Sequence, residues 1–329
     1  MIVKGVMNLQ NAIEINRLSK IYKGGQKALN GLNLIVNEGE IFSLLGKNGA
    51  GKSTLINVLT TYLQPTDGEV FILGESLSRN TASIRKQLSS VAQKNSIDGY
   101  LTLYENMKFQ GRLYHVDSKE LPKRIEDLLT KLNLKQYKDK RVSDCSGGIQ
   151  RRLDIAMSMV SIPKILFLDE PTTGLDIESR HAMWELIKKV NIEYGTTIFL
   201  TTHYLEEADE LSHKICIIKD GKEQITGTSA ELKRFLQQSL VRLYFEESSL
   251  QDKVRIITKL KHLDFVKKIR ESKDTITIEV ENIKEDYQTV LELGIENQTP
   301  FYRAEIVRPT LDDVFMEIAS EEKLYDRNN

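Results

Sequence analysis

Gly46-Lys47-Asn48-Gly49-Ala50-Gly51-Lys52-Ser53 decides how this 329-residue chain is read. The stretch satisfies G-x-x-x-x-G-K-[ST], follows an apolar run at 40–45 and precedes a helical pattern at 54–63. A strand, a glycine-rich turn and a helix in that order make an anion cradle. The glycines let successive backbone N–H groups turn inward toward phosphate oxygens, the helix start adds its dipole, and Lys52 supplies a mobile charge for the β and γ phosphates. Ser53 offers a hydroxyl to Mg²⁺. At average residue usage such a match arises by chance about once in a hundred chains of this length, before the flanking strand and helix are counted.

Downstream, Ile165-Leu166-Phe167-Leu168-Asp169-Glu170 reads as a buried parallel strand ending in two carboxylates. Ligands of such sheets sit beyond the carboxyl ends of the strands. Asp169 is therefore expected to hold Mg²⁺, directly or through water, and Glu170 to orient and deprotonate the water that attacks the γ phosphate. A buried strand running into an acidic turn is common by itself; beside the phosphate loop it gains meaning.

The first two-thirds of the chain alternates short apolar runs with helical patterns, which predicts an α/β layer architecture with strands at 12–15, 40–45, 70–73, 165–168, 197–200 and 215–218. Asp67-Gly68 and Asp220-Gly221 adjoin alternating segments and predict hairpin turns that add antiparallel strands to the sheet. Residues 95–160 are rich in helix formers and read as a helical subdomain. From Leu240 the pattern changes. Val241, Leu243 and Phe245, then Ile276, Ile278 and Val280, then Tyr302, Ala304 and Ile306 each share a strand face, while Leu250, Val254, Ile257 and Leu260 share a helix face, as do Tyr287, Val290 and Leu291. With a strand at 265–270 the order becomes β-α-β-β-α-β, the ferredoxin-like order, followed by a helix at 311–319 and a polar tail. The division predicted is an ATP-binding domain at 1–235 and an accessory domain at 236–329.

Composition excludes several classes. Lys plus Arg total 46 against 47 Asp plus Glu, a net charge of −1, so no global field would hold a nucleic acid or an anionic membrane. The two cysteines, Cys145 and Cys216, are too few for a disulfide scaffold and suit a reducing compartment. No apolar run reaches 18 residues, and residues 1–14 lack the apolar core of a leader. The other histidines, His115, His181, His213 and His262, show no metal-ligand spacing.

With the phosphate loop and the acidic strand in place, residues 13–232 resemble the ATP-binding cassette family. Cys145-Ser146-Gly147-Gly148-Ile149, followed by Gln150-Arg151-Arg152-Leu153, is similar to that family's signature motif. Ser146 can cap a helix whose free N–H groups, approached closely past Gly147 and Gly148, point at an anion. The resemblance implies that this anion is the γ phosphate of ATP held by the opposite subunit. It also implies roles for four further positions. Gln93 resembles the Q-loop glutamine near Mg²⁺ and the attacking water. Asp176, in Thr173-Gly174-Leu175-Asp176, resembles the D-loop at the dimer seam. His203 resembles the histidine that bonds the γ phosphate, and Tyr22 the aromatic that stacks on adenine. Thr54 is counted with Gly46, Asn48, Gly49, Ala50, Gly51, Lys52 and Ser53 as nucleotide-binding. Lys47, Cys145 and Ile149 depart from the family's usual residues, the last removing a polar side chain near the dimer seam.

Arg151-Arg152-Leu153-Asp154-Ile155-Ala156, the run 201–208 and the run 309–315 resemble the daunorubicin-resistance exporter cassettes. There the ATPase is a separate chain beside a membrane permease. The resemblance thus implies an ATP hydrolase with ATP and Mg²⁺, a head-to-tail pair of cassettes, a permease partner, no nucleic acid, and a peripheral place on the cytoplasmic side of the cell membrane. A non-transport cassette acting on ribosomes or DNA is the alternative; one phosphate loop, no sustained heptads and near-neutral charge weigh against it. A nucleotide switch without turnover is disfavoured by Glu170, Gln93 and His203 together. For the accessory domain, dimer support, regulation and ligand sensing all stand.

Overall fold

A computed structural model describes residues 10–93, 96–235, 239–246, 250–296, 301–307 and 309–320. Most of the opening segment and the polar tail lie outside the described residues. By backbone contacts the chain divides between Ser229 and Ala230. The first unit runs β1 (Asn11–Ile21), β2 (Lys27–Asn37), β3 (Ile41–Leu45), α1 (Lys52–Leu59), β4 (Asp67–Ile72), β5 (Glu75–Ser76), α2 (Thr81–Arg85), β6 (Leu88–Val91), α3 (Leu103–Leu113), α4 (Leu121–Lys131), α5 (Gly147–Ser158), β7 (Ile165–Asp169), α6 (Ile177–Tyr194), β8 (Thr197–Thr202), α7 (Leu205–Leu211), β9 (Lys214–Lys219) and β10 (Lys222–Gly227). After α8 (Ser229–Phe235) come β11 (Ser239–Phe245), α9 (Leu250–Leu260), β12 (Val266–Glu271), β13 (Thr275–Val280), α10 (Ile283–Glu296), β14 (Phe301–Val307) and α11 (Leu311–Ser320).

The central sheet has the order β10-β9-β3-β8-β7-β6 and is parallel except for β10. Strands β3 and β8 are buried at every position, as continuous apolar runs covered on both faces must be. The Phe42 and Phe199 rings stack at 5.4 Å, with Phe167 5.6 Å from Phe199, filling one face of the sheet. Leu45 pairs with Thr202, and Asp169 with Thr201. The chain ends of β3, β7 and β8 therefore lie side by side, and whatever follows each strand shares one edge.

The second sheet, β2-β1-β4-β5, is antiparallel. The sequence pattern missed β2 because its alternation of buried Leu29, Leu32, Leu34 and Val36 slips a register near Gly31. It missed β6 because two serines break the apolar run, although Ser89 is buried. Asp220-Gly221 is the expected hairpin turn, both residues taking positive φ (51° and 71°), and it adds β10 to the central sheet. Asp67-Gly68 is not a turn. It opens β4 opposite a bulge in β1, where a Cβ on Gly68 would lie 2.4 Å from the Arg17 carbonyl oxygen.

Between β6 and β7 the chain forms the helical subdomain. Helix α3 opens with a capping box, Thr102 and Glu105 bonding each other's backbone N–H. Leu121, Ile125, Leu128 and Leu129 of α4 pack with Leu103, Met107 and Leu153 in one core. Ile149 belongs to this core as well and is 5% exposed, so its side chain is turned into the subdomain and away from the surface.

The second unit is ferredoxin-like, a four-stranded antiparallel sheet of order β12-β13-β11-β14 with α9 and α10 in its connections. Val241, Leu243, Phe245, Ile276, Ile278 and Val280 supply its core. Two expectations need correction. On α9 Ile257 and Leu260 pack on the core as expected and are joined there by Lys253 and Ile256, while Val254 is 62% exposed. On β14, which shifts register beside Phe301, Phe301 and Ala304 pack against the core, while Tyr302 and Ile306 are exposed and do not share a face with Ala304. No helix among the described residues is long and apolar enough to cross a membrane.

Candidate active site

The phosphate loop leaves β3 between packed backbones. A Cβ on Gly46 would lie 2.8 Å from the Ile218 carbonyl oxygen, and one on Gly51, whose φ is +107°, 2.5 Å from that of Ala28. Only glycine fits at either place. Gly221 N–H donates to the Ala50 carbonyl at 3.0 Å and Asn30 N–H to that of Gly221 at 2.9 Å, so strands of both sheets buttress the loop. Asn48 and Gly49 face outward on it. Lys52, 6% exposed at the start of α1, donates to the Gly46 carbonyl at 2.6 Å and to that of Lys47 at 3.4 Å. Burial pulls its pKa down while Glu170 and Asp169 push it back up, which brings the ammonium within the field of the acidic strand end. Ser53 is exposed beside it, and Tyr22, at the end of β1, bonds its hydroxyl to that of Thr54 at 3.1 Å.

Glu170 is the meeting point of the strand ends. Its Oε2 accepts from Gln93 Nε2 at 3.4 Å and from Thr173 Oγ1 at 3.1 Å, and lies 3.3 Å from His203 Nδ1. Its backbone φ is +47°, a conformation that a non-glycine residue holds only where its surroundings impose it. Glu170 N–H donates to the Thr201 carbonyl at 3.1 Å, and Thr201 Oγ1 donates to Asp169 Oδ1 at 2.6 Å. The structure therefore brings together Lys52, Gln93, Asp169, Glu170 and His203, as expected from positions far apart in sequence.

Ser146, Gly147, Gly148 and Asp176 form a second cluster. Ser146 caps α5, its Oγ accepting from Ile149 N–H at 3.4 Å. A Cβ on Gly148 would stand 2.6 Å from Ser179 Oγ, and Asp176 caps α6 by accepting from Ser179 N–H and Oγ, each at 2.8 Å. These bonds hold the Asp176 carboxyl below the usual range. Thr201 and Arg151 were not singled out from the sequence. The signal for Thr201 is register: a threonine at the chain end of the strand beside the acidic one must face Asp169.

A family model described as ABC transporter matches residues 29–173. A second, described as the C-terminal domain of DrrA1-3-like ATP-binding proteins, matches 227–319. The daunorubicin resistance ATP-binding protein DrrA3 of Streptomyces coeruleorubidus is 34% identical over 312 residues, 95% of this chain and 97% of that one. The chain belongs to the ABC transporter family. Within it this cassette is of the daunorubicin-resistance type, and the family hydrolyses ATP. The cassette is also similar to the Nod factor export ATP-binding protein I of Sinorhizobium fredii, 38% identical over 216 residues, 66% of this chain and 62% of that one. Among solved structures, a dimeric ATP-binding cassette in a post-hydrolysis state bound to ADP and Pi is 29% identical with a TM-score of 0.58, covering 66% of this chain and 98% of that one.

Proposed function

We propose that this cassette couples Mg·ATP hydrolysis to export through a separate membrane-spanning permease, with Glu170 as general base. The observation that carries the proposal is the convergence of Gln93, Thr173 and His203 on one Glu170 oxygen beside the buried Lys52. The phosphate loop and Lys52 hold the β and γ phosphates, Tyr22 and Thr54 flank the nucleotide, and Glu170 takes a proton from the attacking water. His203 and Gln93 orient that carboxylate and the γ phosphate. Ser53, Asp169 and Gln93 are hard oxygen ligands of the kind Mg²⁺ takes, few in number because substrate phosphates and water complete its shell. Bound there, Mg²⁺ supplies positive charge against the phosphate oxygens.

Ser146 and the start of α5 are read as acting on the γ phosphate of a second copy's ATP, since capped helix N–H groups suit an anion and Ser146 and Gly147 are exposed. The dimeric solved cassette supports that pairing. The names of the relatives, daunorubicin resistance and Nod factor export, support export of a small-molecule cargo, with selectivity in the permease. A cassette acting on ribosomes or DNA is not favoured, since the family model matched at 29–173 is described as ABC transporter.

Affinity purification from detergent-solubilised native membranes tests the proposal. A multi-span partner should copurify, and adding it should raise the cassette's ATP turnover. Isolation of the chain with nucleic acid and no membrane protein, its association weakening steeply with salt, contradicts it.

A further inference from the structure

Arg151 is 5% exposed on α5, one turn beyond the glycines that follow Ser146. Its guanidinium donates from Nη1 to the Ala92 carbonyl at 2.6 Å, from Nη2 to that of Asp169 at 3.2 Å and from Nε to that of Pro171 at 3.1 Å. Ala92 immediately precedes Gln93. Asp169 and Pro171 stand on either side of Glu170. Asp154, 3% exposed one turn further along α5, lies 3.4 Å from Arg151 Nη1 and accepts from Ser96 Oγ at 2.9 Å through its other oxygen. The pair thus holds the chain before Gln93 through Arg151 and after it through Asp154.

We infer that Arg151, held by Asp154, is a positioning residue that sets the backbone on both sides of Glu170 and of Gln93 for the hydrolytic step. Three carbonyls bonded by three different nitrogens of one side chain need a planar fork of donors, which lysine lacks. The charge is buried with a partner, so its cost is offset only while the whole constellation is intact. Glu170 sits at a positive φ that its neighbours must impose, and the two carbonyls flanking it are bonded to the same guanidinium. Because α5 also carries Ser146, one side chain ties the acid of its own site to the helix start read as completing the opposite site. This inference rests on the proposed role of Glu170.

The test is a kinetic double-mutant cycle on the full-length cassette. Arg151→Lys keeps the charge and removes the fork. It should lower kcat about 10- to 100-fold, the range for misplaced reacting groups, with the KM for ATP changed by no more than about 2-fold. In a Glu170→Gln background, single-turnover hydrolysis should fall no further when Arg151→Lys is added. Equal losses in both backgrounds, a rise in KM alone, or wild-type kcat in a folded Arg151→Lys protein overturns the inference. Should that variant not fold, Ser96→Ala leaves Arg151 in place and frees one end of the Gln93 segment. It should lower kcat about 3-fold or more in the wild-type background and leave it unchanged in Gln93→Ala; wild-type kcat for Ser96→Ala then overturns the inference. If Glu170→Gln itself hydrolyses ATP normally, the reading of the site fails; if only Arg151→Lys is silent, this inference alone fails.

Discussion

At the scale of the residue, one of the neighbours that hold the acidic strand end carries no ionisable group. Thr201 bonds Asp169 with its hydroxyl and Glu170 with its carbonyl, so Thr201→Val removes one oxygen from the array while keeping the volume. Loss of a charge-assisted bond of about 1.5–3 kcal/mol should lower ATP turnover by about one to two orders of magnitude, measurable by phosphate release. Glu207 is a different case. It is fully buried behind the site, where Thr172 Oγ1 donates to it at 2.7 Å and Trp184 Nε1 at 3.2 Å. Burial raises its pKa against the bonds from Thr202, Thr172 and Trp184. The folded chain therefore binds this proton more tightly than the unfolded chain, so the associated stability is full below the ordinary carboxylate range and falls as pH climbs through the raised value. Glu207→Gln is neutral throughout, and its melting temperature relative to wild type should rise as pH climbs above the ordinary carboxylate range. Parallel melting curves would show that Glu207 is not protonated in the fold.

At the scale of the element, the contact between α5 and α6 is close enough to test with one methyl group. Gly148→Ala would drive its Cβ to 2.6 Å from Ser179 Oγ and 3.0 Å from Ser179 Cβ. The overpacking should cost about 1–3 kcal/mol of stability by urea titration, part of it recovered when Ser179→Ala is added. Elements whose function demanded unusual residues were legible in the sequence. The phosphate loop, the Asp169-Glu170 strand end and the Asp220-Gly221 turn each carry a residue pattern that chemistry or backbone geometry requires. The sequence did not yield what depends on register. Strand β2 alternates but slips near Gly31, Asp67-Gly68 accompanies a bulge, and α9 turns Ile256 inward in place of Val254. Arg151 was invisible as a site residue for a similar reason. Apart from Asp154, the partners it needs at the site are backbone carbonyls from two segments, at 92 and at 169–171, and carbonyls leave no mark in a sequence.

At the scale of the molecule, the two units have separate cores, and the chain's single tryptophan, Trp184, lies in the first. Denaturant unfolding followed by Trp184 fluorescence therefore reports the nucleotide-binding unit, whereas far-ultraviolet circular dichroism reports both. The two transitions should not coincide, and ATP with Mg²⁺ should move the fluorescence transition by the linkage expected of a ligand that binds only the folded form. Coincident transitions would mean that the units unfold as one. The central claim is that Glu170, held by Gln93, Thr173 and His203, makes this cassette a hydrolase. Its most direct test is steady-state phosphate release by Glu170→Gln at saturating Mg·ATP. Phosphate release should fall about 100-fold or more with ATP binding retained, in the range of a lost general base; turnover within about 2-fold of wild type would mean that Glu170 is not the base.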